Sequence, residues 1–286
     1  MIKFNKIVII ILIIIILNQI LRKTNINNFN IEEKINIILK KNDIFSISLL
    51  PSLNRDNDLT EEFKILVDRA NLNSKSLNIL EKNKVSIKIR QLGKNLNIQL
   101  KRLKNIINYA KKKNVFIWIA SVLKKDINME FEEYKKLFEK YDNVGLTIAT
   151  VNHGAMDRVK EIINIGGKIR LVKGHYHGDI KNWNLVTQKY EEISEVIVKS
   201  GQYHCLATHD FKILKKLKNK YPIKFNNVEL AFYYSAYDFV YKKENINIIR
   251  DNIKCFYIFY GDYIYYIIDN ILEINLNRII ARLINK

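Results

Sequence analysis

The sequence predicts an α/β chain: a (β/α)8 TIM-type barrel preceded by an N-terminal hydrophobic helix. Three observations lead there. Eight short runs rich in β-branched and aromatic residues recur, at 43–50, 85–90, 115–121, 144–151, 168–172, 203–208, 223–230 and 253–259. Stretches of helical period separate most of them, at 61–81, 98–112, 131–141, 156–165, 187–199 and 211–219, and a last one covers 263–284. Alternating runs of these two periods imply strands joined by helices, hence a parallel sheet with right-handed crossovers. Eight such units suit a closed barrel. An open doubly wound sheet is the competing architecture, but no GxGxxG follows any of the runs, which counts against a dinucleotide crevice.

The elements follow in order. Lys3 and Lys6 precede eleven consecutive apolar residues, 7–17. A spanning helix needs about 20, and no small-x-small cleavage site follows, so residues 1–22 read as a membrane anchor or signal-anchor. A secretory signal and a helix packed on the domain are the alternatives. Residues 23–42 read as a polar, Asn- and Lys-rich linker with some helical pattern, and 43–286 as the barrel. The localisation expected from this is membrane-associated, through the N-terminus.

Composition narrows the function classes. An apolar fraction of 48% suits a folded domain, and the chain is long enough for one large core. The net charge of +19 would ordinarily point to nucleic acid. Here lysine, asparagine and isoleucine are abundant everywhere, and only Lys111, Lys112 and Lys113 form a tight run, as at a solvated helix end. No nucleic-acid partner is expected. Cys205 and Cys255 stand singly in apolar segments, without ligand spacing, and read as buried thiols.

In a barrel the chemistry gathers at the C-terminal ends of the strands. The stretch KIRLVKGHYHGD, 168–179, is the richest such end: an apolar strand breaks at Gly174 into a turn carrying Arg170, Lys173, His175, Tyr176 and His177. Cations, a permissive glycine and an aromatic there make a seat for a phosphate and a flat ring. Other ends supply Lys88 mid-strand, then Thr208, His209 and Asp210, then Glu229, then Tyr257. His153 and His204 carry no motif and read as structural or exposed.

Five segments in order, VSIKIRQLG, KIRLVKGHYHGD, LATHD, VELAFYY and YIFYGD, followed by the terminal helical stretch, resemble the proline dehydrogenases over residues 84–284. The resemblance implies a flavin enzyme on a (β/α)8 barrel, moving a hydride from the carbon beside the amine nitrogen of proline or an analogue to N5 of FAD. It implies Arg170, Lys173, Gly174, His175, Tyr176, Thr208, His209 and Glu273 as cofactor-binding residues. Lys88 would meet the substrate carboxylate or hold the charge network beneath it, and Tyr257 and Tyr176 would wall the substrate against the flavin. Quinone as electron acceptor, at a membrane, belongs to the same expectation.

The departures are as informative. The family's adjacent arginines, which clamp the substrate carboxylate, fall at Asp269 and Asn270. Its third-strand aspartate falls near Ala120, its fourth-strand glutamine at Ala149, and its pocket leucine at Tyr233. Losing a buried charge partner costs roughly 2–5 kcal/mol of binding. The sequence therefore reads as a barrel that keeps the cofactor seat better than the proline clamp. A catalytically silent homologue with a binding role is the second reading. A metal-dependent barrel hydrolase built on His175, His177, His209, Asp210 and Asp179 is the third.

Overall fold

The computed structural model describes residues 31–49, 58–72, 82–120, 126–174 and 178–260. Eight parallel strands close into a barrel in sequence order: β1 (Ile44–Leu49), β2 (Lys84–Ile87), β3 (Phe116–Ala120), β4 (Val144–Ala149), β5 (Ile169–Val172), β6 (Cys205–Ala207), β7 (Glu229–Tyr233) and β8 (Lys254–Tyr260). β8 closes on β1 with Ile44 opposite Cys255 and Leu49 opposite Tyr260. The helices are α1 (Ile31–Lys40), α2 (Thr60–Leu72), α3 (Leu96–Lys112), α4 (Ile127–Phe138), α5 (Ala155–Asn164), α6 (Trp183–Ser200), α7 (Phe211–Lys220), α8 (Pro222–Phe225), α9 (Tyr237–Val240) and α10 (Lys243–Ile249).

Strand residues alternate between two environments, as the pleat requires. One set, including Phe45, Ile47, Val85, Ile87, Ile117, Ile119, Leu171, Leu206 and Phe256, joins the apolar faces of the helices in one large core. The other set faces the barrel interior, where Ile44, Phe116, Trp118, Cys205, Ala231 and Cys255 form a second, smaller cluster. Gly145 makes room there: a Cβ would lie 2.3 Å from the Trp118 ring. Both cysteines are buried free thiols, as expected.

Two elements differ from the sequence reading. The seventh strand lies later than the expected 223–230. Pro222, which has no amide hydrogen to give a ladder, opens the short α8 instead. Glu229 is thereby moved from a strand's end to its start. Part of the expected linker is also wall. α1 buries Ile35 and Ile38 completely, and its acidic first turn and basic last turn suit the helix dipole. It contacts β1 and β8, and runs against the segment after β7: Lys34 sits over Tyr234, the Ile37 carbonyl accepts from the Tyr237 hydroxyl, and Asp43 accepts from Tyr241.

Among the described residues no helix is long and apolar enough to cross a membrane. The hydrophobic segment 1–22, the terminal stretch 263–284, and His175, Tyr176, His177, Asp269, Asn270 and Glu273 lie outside the described residues.

Candidate active site

Arg170 is the centre of the barrel mouth. It sits second in β5, an inward position, and is 5% exposed. Its Nε–H donates to Thr147 Oγ1 of β4 at 3.0 Å. The guanidinium carbon lies 5.4 Å from the Trp118 ring and 5.3 Å from the Tyr257 ring. A planar cation between two aromatic faces is attracted by both ring quadrupoles while its edges stay available for hydrogen bonds. No carboxylate among the described residues forms an ion pair with it.

Aromatic side chains line the same opening. Tyr257 meets Tyr233 edge-on at 6.1 Å and Phe259 at 5.0 Å, and Tyr233 stacks on Phe259 at 6.0 Å. His209 lies 5.6 Å from the Tyr233 ring, and its Nε2 accepts the Tyr233 N–H at 3.1 Å. Desolvation by this packing lowers the His209 pKa, which favours the neutral ring. Thr208, buried at the end of β6, accepts the Asp210 N–H at 3.1 Å.

Lys88 is not mid-strand. It follows the last residue of β2 and leads into a single 3₁₀ turn, Ile89–Leu92. Burial, with the like charge of Arg90 adding to it, pushes its ammonium down to about 8. It has no ion-pair partner among the described residues, so it is a cation held partly out of water at the mouth.

Two expected cofactor residues have close protein contacts of their own. Lys173 is engaged: its Nζ donates to Asp210 Oδ2 and to Thr187 Oγ1, each at 3.2 Å. Gly174 was expected to let a phosphate approach the backbone. Its φ of +103° and its neighbours give another reason, since a Cβ there would lie 2.5 Å from Val151 Cγ2 and 3.0 Å from Ala149 Cβ. The glycine packs the turn onto the end of β4.

Glu229 opens β7, and Cys205 of β6 stands in register with both it and Arg170. Glu229 Oε2 is 2.8 Å from Lys84 Nζ, with both side chains 0% exposed. The Tyr203 hydroxyl donates to the same oxygen at 2.5 Å, and Lys84 also donates to the Lys82 carbonyl at 2.7 Å. Burial, then the Glu229 charge, raises the Tyr203 pKa well above normal, so it stays a donor. Sequence reasoning missed Lys84, Trp118 and Thr147. Each looked like an ordinary strand residue, and their inward positions follow only from the barrel register.

The residues of the metal-hydrolase reading are otherwise occupied where they are described. Asp210 caps α7 and pairs with Lys173, and Asp179 accepts the His153 N–H. No group of three potential metal ligands occurs among the described residues. His204 is structural: its Nδ1 accepts the Ile169 N–H at 3.3 Å, and burial lowers its pKa to about 3.

No protein-family model matches the chain, and no curated protein matches it in sequence. Solved structures do match in fold. Proline utilization A from Bdellovibrio bacteriovorus, inactivated by N-propargylglycine, superposes with a TM-score of 0.71 at 17% identity, over 85% of this chain and 31% of that one. A Bradyrhizobium japonicum proline utilization A mutant gives 0.67 at 12%, over 81% and 28%. The chain thus spans under a third of the length of those proteins. What is shared is a fold: this chain is a closed (β/α)8 barrel of the kind found within proline utilization A.

Proposed function

We propose that this barrel is an FAD-dependent, proline dehydrogenase-like oxidoreductase acting on a cyclic or secondary amine related to proline. The observation that carries the reading is Arg170, clamped between Trp118 and Tyr257 at the mouth of a barrel of this fold, with no carboxylate partner among the described residues. A fixed cation at that place supports negative charge on a planar ring as it is reduced. Thr208 and His209 would hold the other side of the cofactor, and the motif match adds His175, Tyr176 and Glu273. When bound, FAD supplies the hydride acceptor.

The chain's own residues do the rest. Lys88, charged at neutral pH, attracts an anionic substituent of the substrate. Tyr257, Tyr233 and Phe259 exclude water from the face of the ring and narrow the space for the substrate. His209, neutral and tied to the Tyr233 backbone, holds the β7 end in place. Asp269 and Asn270 stand where the resemblance puts the carboxylate clamp, which argues for weak use of proline itself. A quinone acceptor and attachment to a membrane through residues 1–22 complete the reading.

The test is the visible spectrum of protein purified in excess FAD. It should be yellow, with the flavin bleached only slowly by proline. Arg170→Ala should lower flavin retention by roughly tenfold or more, the loss of one charge-assisted contact of about 1.5–3 kcal/mol. A folded wild-type protein that stays colourless in excess FAD would overturn the flavin reading and favour a barrel with a binding role.

A further inference from the structure

The lumen around Arg170 is lined with polar atoms, and the register shows which of them face one another. Residues in register on neighbouring parallel strands point to the same side of the sheet. Phe116 and Trp118 point inward, in the lumen cluster. Lys84 is in register with Phe116, and Ser86 with Trp118. Ser46 is flanked by Lys84 on one side and by Tyr257 on the other. Cys205 joins Arg170 to Glu229 in the same way. The charges share one neighbourhood: the thiols of Cys205 and Cys255 are both pushed up by burial first and by the Glu229 charge next, with Arg170 and Lys84 opposing.

Four polar atoms in that ring have no hydrogen-bond partner among the described residues: Ser46 Oγ, Ser86 Oγ, Trp118 Nε1 and Glu229 Oε1. Each belongs to a residue at most 1% exposed. Leaving a buried polar atom unpaired costs free energy, so native proteins pair such atoms with protein or with ordered water. The two oxygens of Glu229 differ in this respect. Oε2 takes Lys84 and Tyr203, whereas Oε1 takes neither, and the nearby Cys255 thiol is a weak donor. The lumen also has room. Barrels of this kind usually fill it with Val, Ile and Leu. Here Ser46, Ser86, Cys205, Ala231 and Cys255 hold inward positions, and each is smaller than those residues. The orphaned atoms define what suits the space. An indole N–H donates, an ionised carboxylate oxygen accepts, and a hydroxyl does both. Glu229 would repel an anion, Lys84 and Arg170 would repel a cation, and an apolar group would leave all four atoms unpaired. Water satisfies the whole set, with the two to four polar partners that a buried water needs.

We infer that the lumen holds a chain of ordered water running from Glu229 Oε1 past Ser46 to Ser86 and Trp118, and that this chain is a proton path between the site and the buried Glu229 carboxylate. A proton entering the chain is handed from one water to the next, and the negative charge of Glu229 stabilises it there. In the oxidation of an amine the substrate ammonium must first lose a proton. Its N–H bond breaks, the electron pair stays on nitrogen, and the nearest water takes the proton before the hydride leaves carbon. That use rests on the proposed activity, whereas the chain itself rests on the lumen residues.

The indole proton of Trp118 tests this, because the protein has two tryptophans and Trp118→Phe identifies the signal. The full chain, with tryptophan labelled by the heavy nitrogen isotope and without added flavin, is followed by NMR. Two quantities are read at the indole proton: magnetisation transfer from water, and exchange for deuterium. The expected result is direct transfer from a bound water, with exchange at least about tenfold faster than at the Trp118 backbone amide, which opens only with the sheet. Ser86→Val puts methyl groups beside the indole and should weaken the water transfer by about fivefold, the loss of one bridging hydrogen bond. Glu229→Gln keeps an acceptor for Lys84 and Tyr203 but removes the charge, so it should keep the water signal and slow indole exchange by about tenfold. The backbone amide of the same residue controls for folding in each variant. A Trp118 indole proton without water transfer would overturn the inference, since the lumen would then be dry. Water transfer unchanged in Ser86→Val, or indole exchange unchanged in Glu229→Gln, would also overturn it, because the water would then not form this chain or not lead to the carboxylate. A colourless protein leaves the chain standing, and a dry lumen leaves the proposed activity standing.

Discussion

Lys88 shows how one residue ties the sequence to the chemistry. Its burial at the end of β2 lowers its pKa from an ordinary 10.5 to about 8. The sign of the consequence follows. A lysine whose folded pKa is depressed is penalised while charged, so the penalty is fully present below pH 8. It is relieved as pH rises toward the unfolded value. Wild-type protein should therefore gain about 1–3 kcal/mol of stability relative to Lys88→Met between pH 7.5 and pH 10. Denaturant unfolding of the two proteins at both pH values measures this, and parallel curves would mean that Lys88 is solvated. The residue was legible from the VSIKIRQLG segment, but its environment was not. Periodicity placed it inside a strand, whereas the strand ends one residue earlier and the chain turns. Gly174 is a similar case: the sequence marked a turn there, and the fold adds its positive φ and the closeness of Val151 and Ala149.

Strands act in pairs across the lumen. Lys84 on β2 and Glu229 on β7 are far apart in sequence, and both are fully removed from water. A buried pair of this kind gains little over an apolar core, because desolvation offsets the Coulomb attraction. Breaking it is different: Glu229→Ala leaves an unpaired buried ammonium and should cost about 3–5 kcal/mol, while Lys84→Met with Glu229→Leu should recover most of that. Chemical denaturation of the single and double variants separates the two cases. Equal losses in both would show that the pair, and not the packing, holds the barrel interior. The pair could not be read from the sequence. Lys84 looked like a flanking lysine, and the shift of the seventh strand, caused by α8, put Glu229 at the wrong end.

The whole molecule is a ring, and a ring needs every part of its wall covered. α1 covers β1 and β8 with Ile35 and Ile38 at 0% exposure. Ile35→Ala should therefore destabilise the domain by about 2–5 kcal/mol, as for any filled core position. A surface linker would lose less than roughly 0.5 kcal/mol. Calorimetric unfolding of the full chain distinguishes them. The shortness of 31–40 hid this role, because ten residues that follow the Asn-rich stretch 24–30 read as its continuation.

The sequence by itself determined the class of the fold, the order of its eight strands and the segments that form the mouth. These depend on local periodicity, turn chemistry and recurring motifs, all of which lie within a few residues of one another. Only the tertiary structure decided which side chains meet. Closure of the barrel, with its register and stagger, set Arg170 between Trp118 and Tyr257 and sent Glu229 to Lys84 inside the lumen. Such contacts join strands that are distant in sequence, and a one-residue slip would turn each side chain to the other face of the sheet.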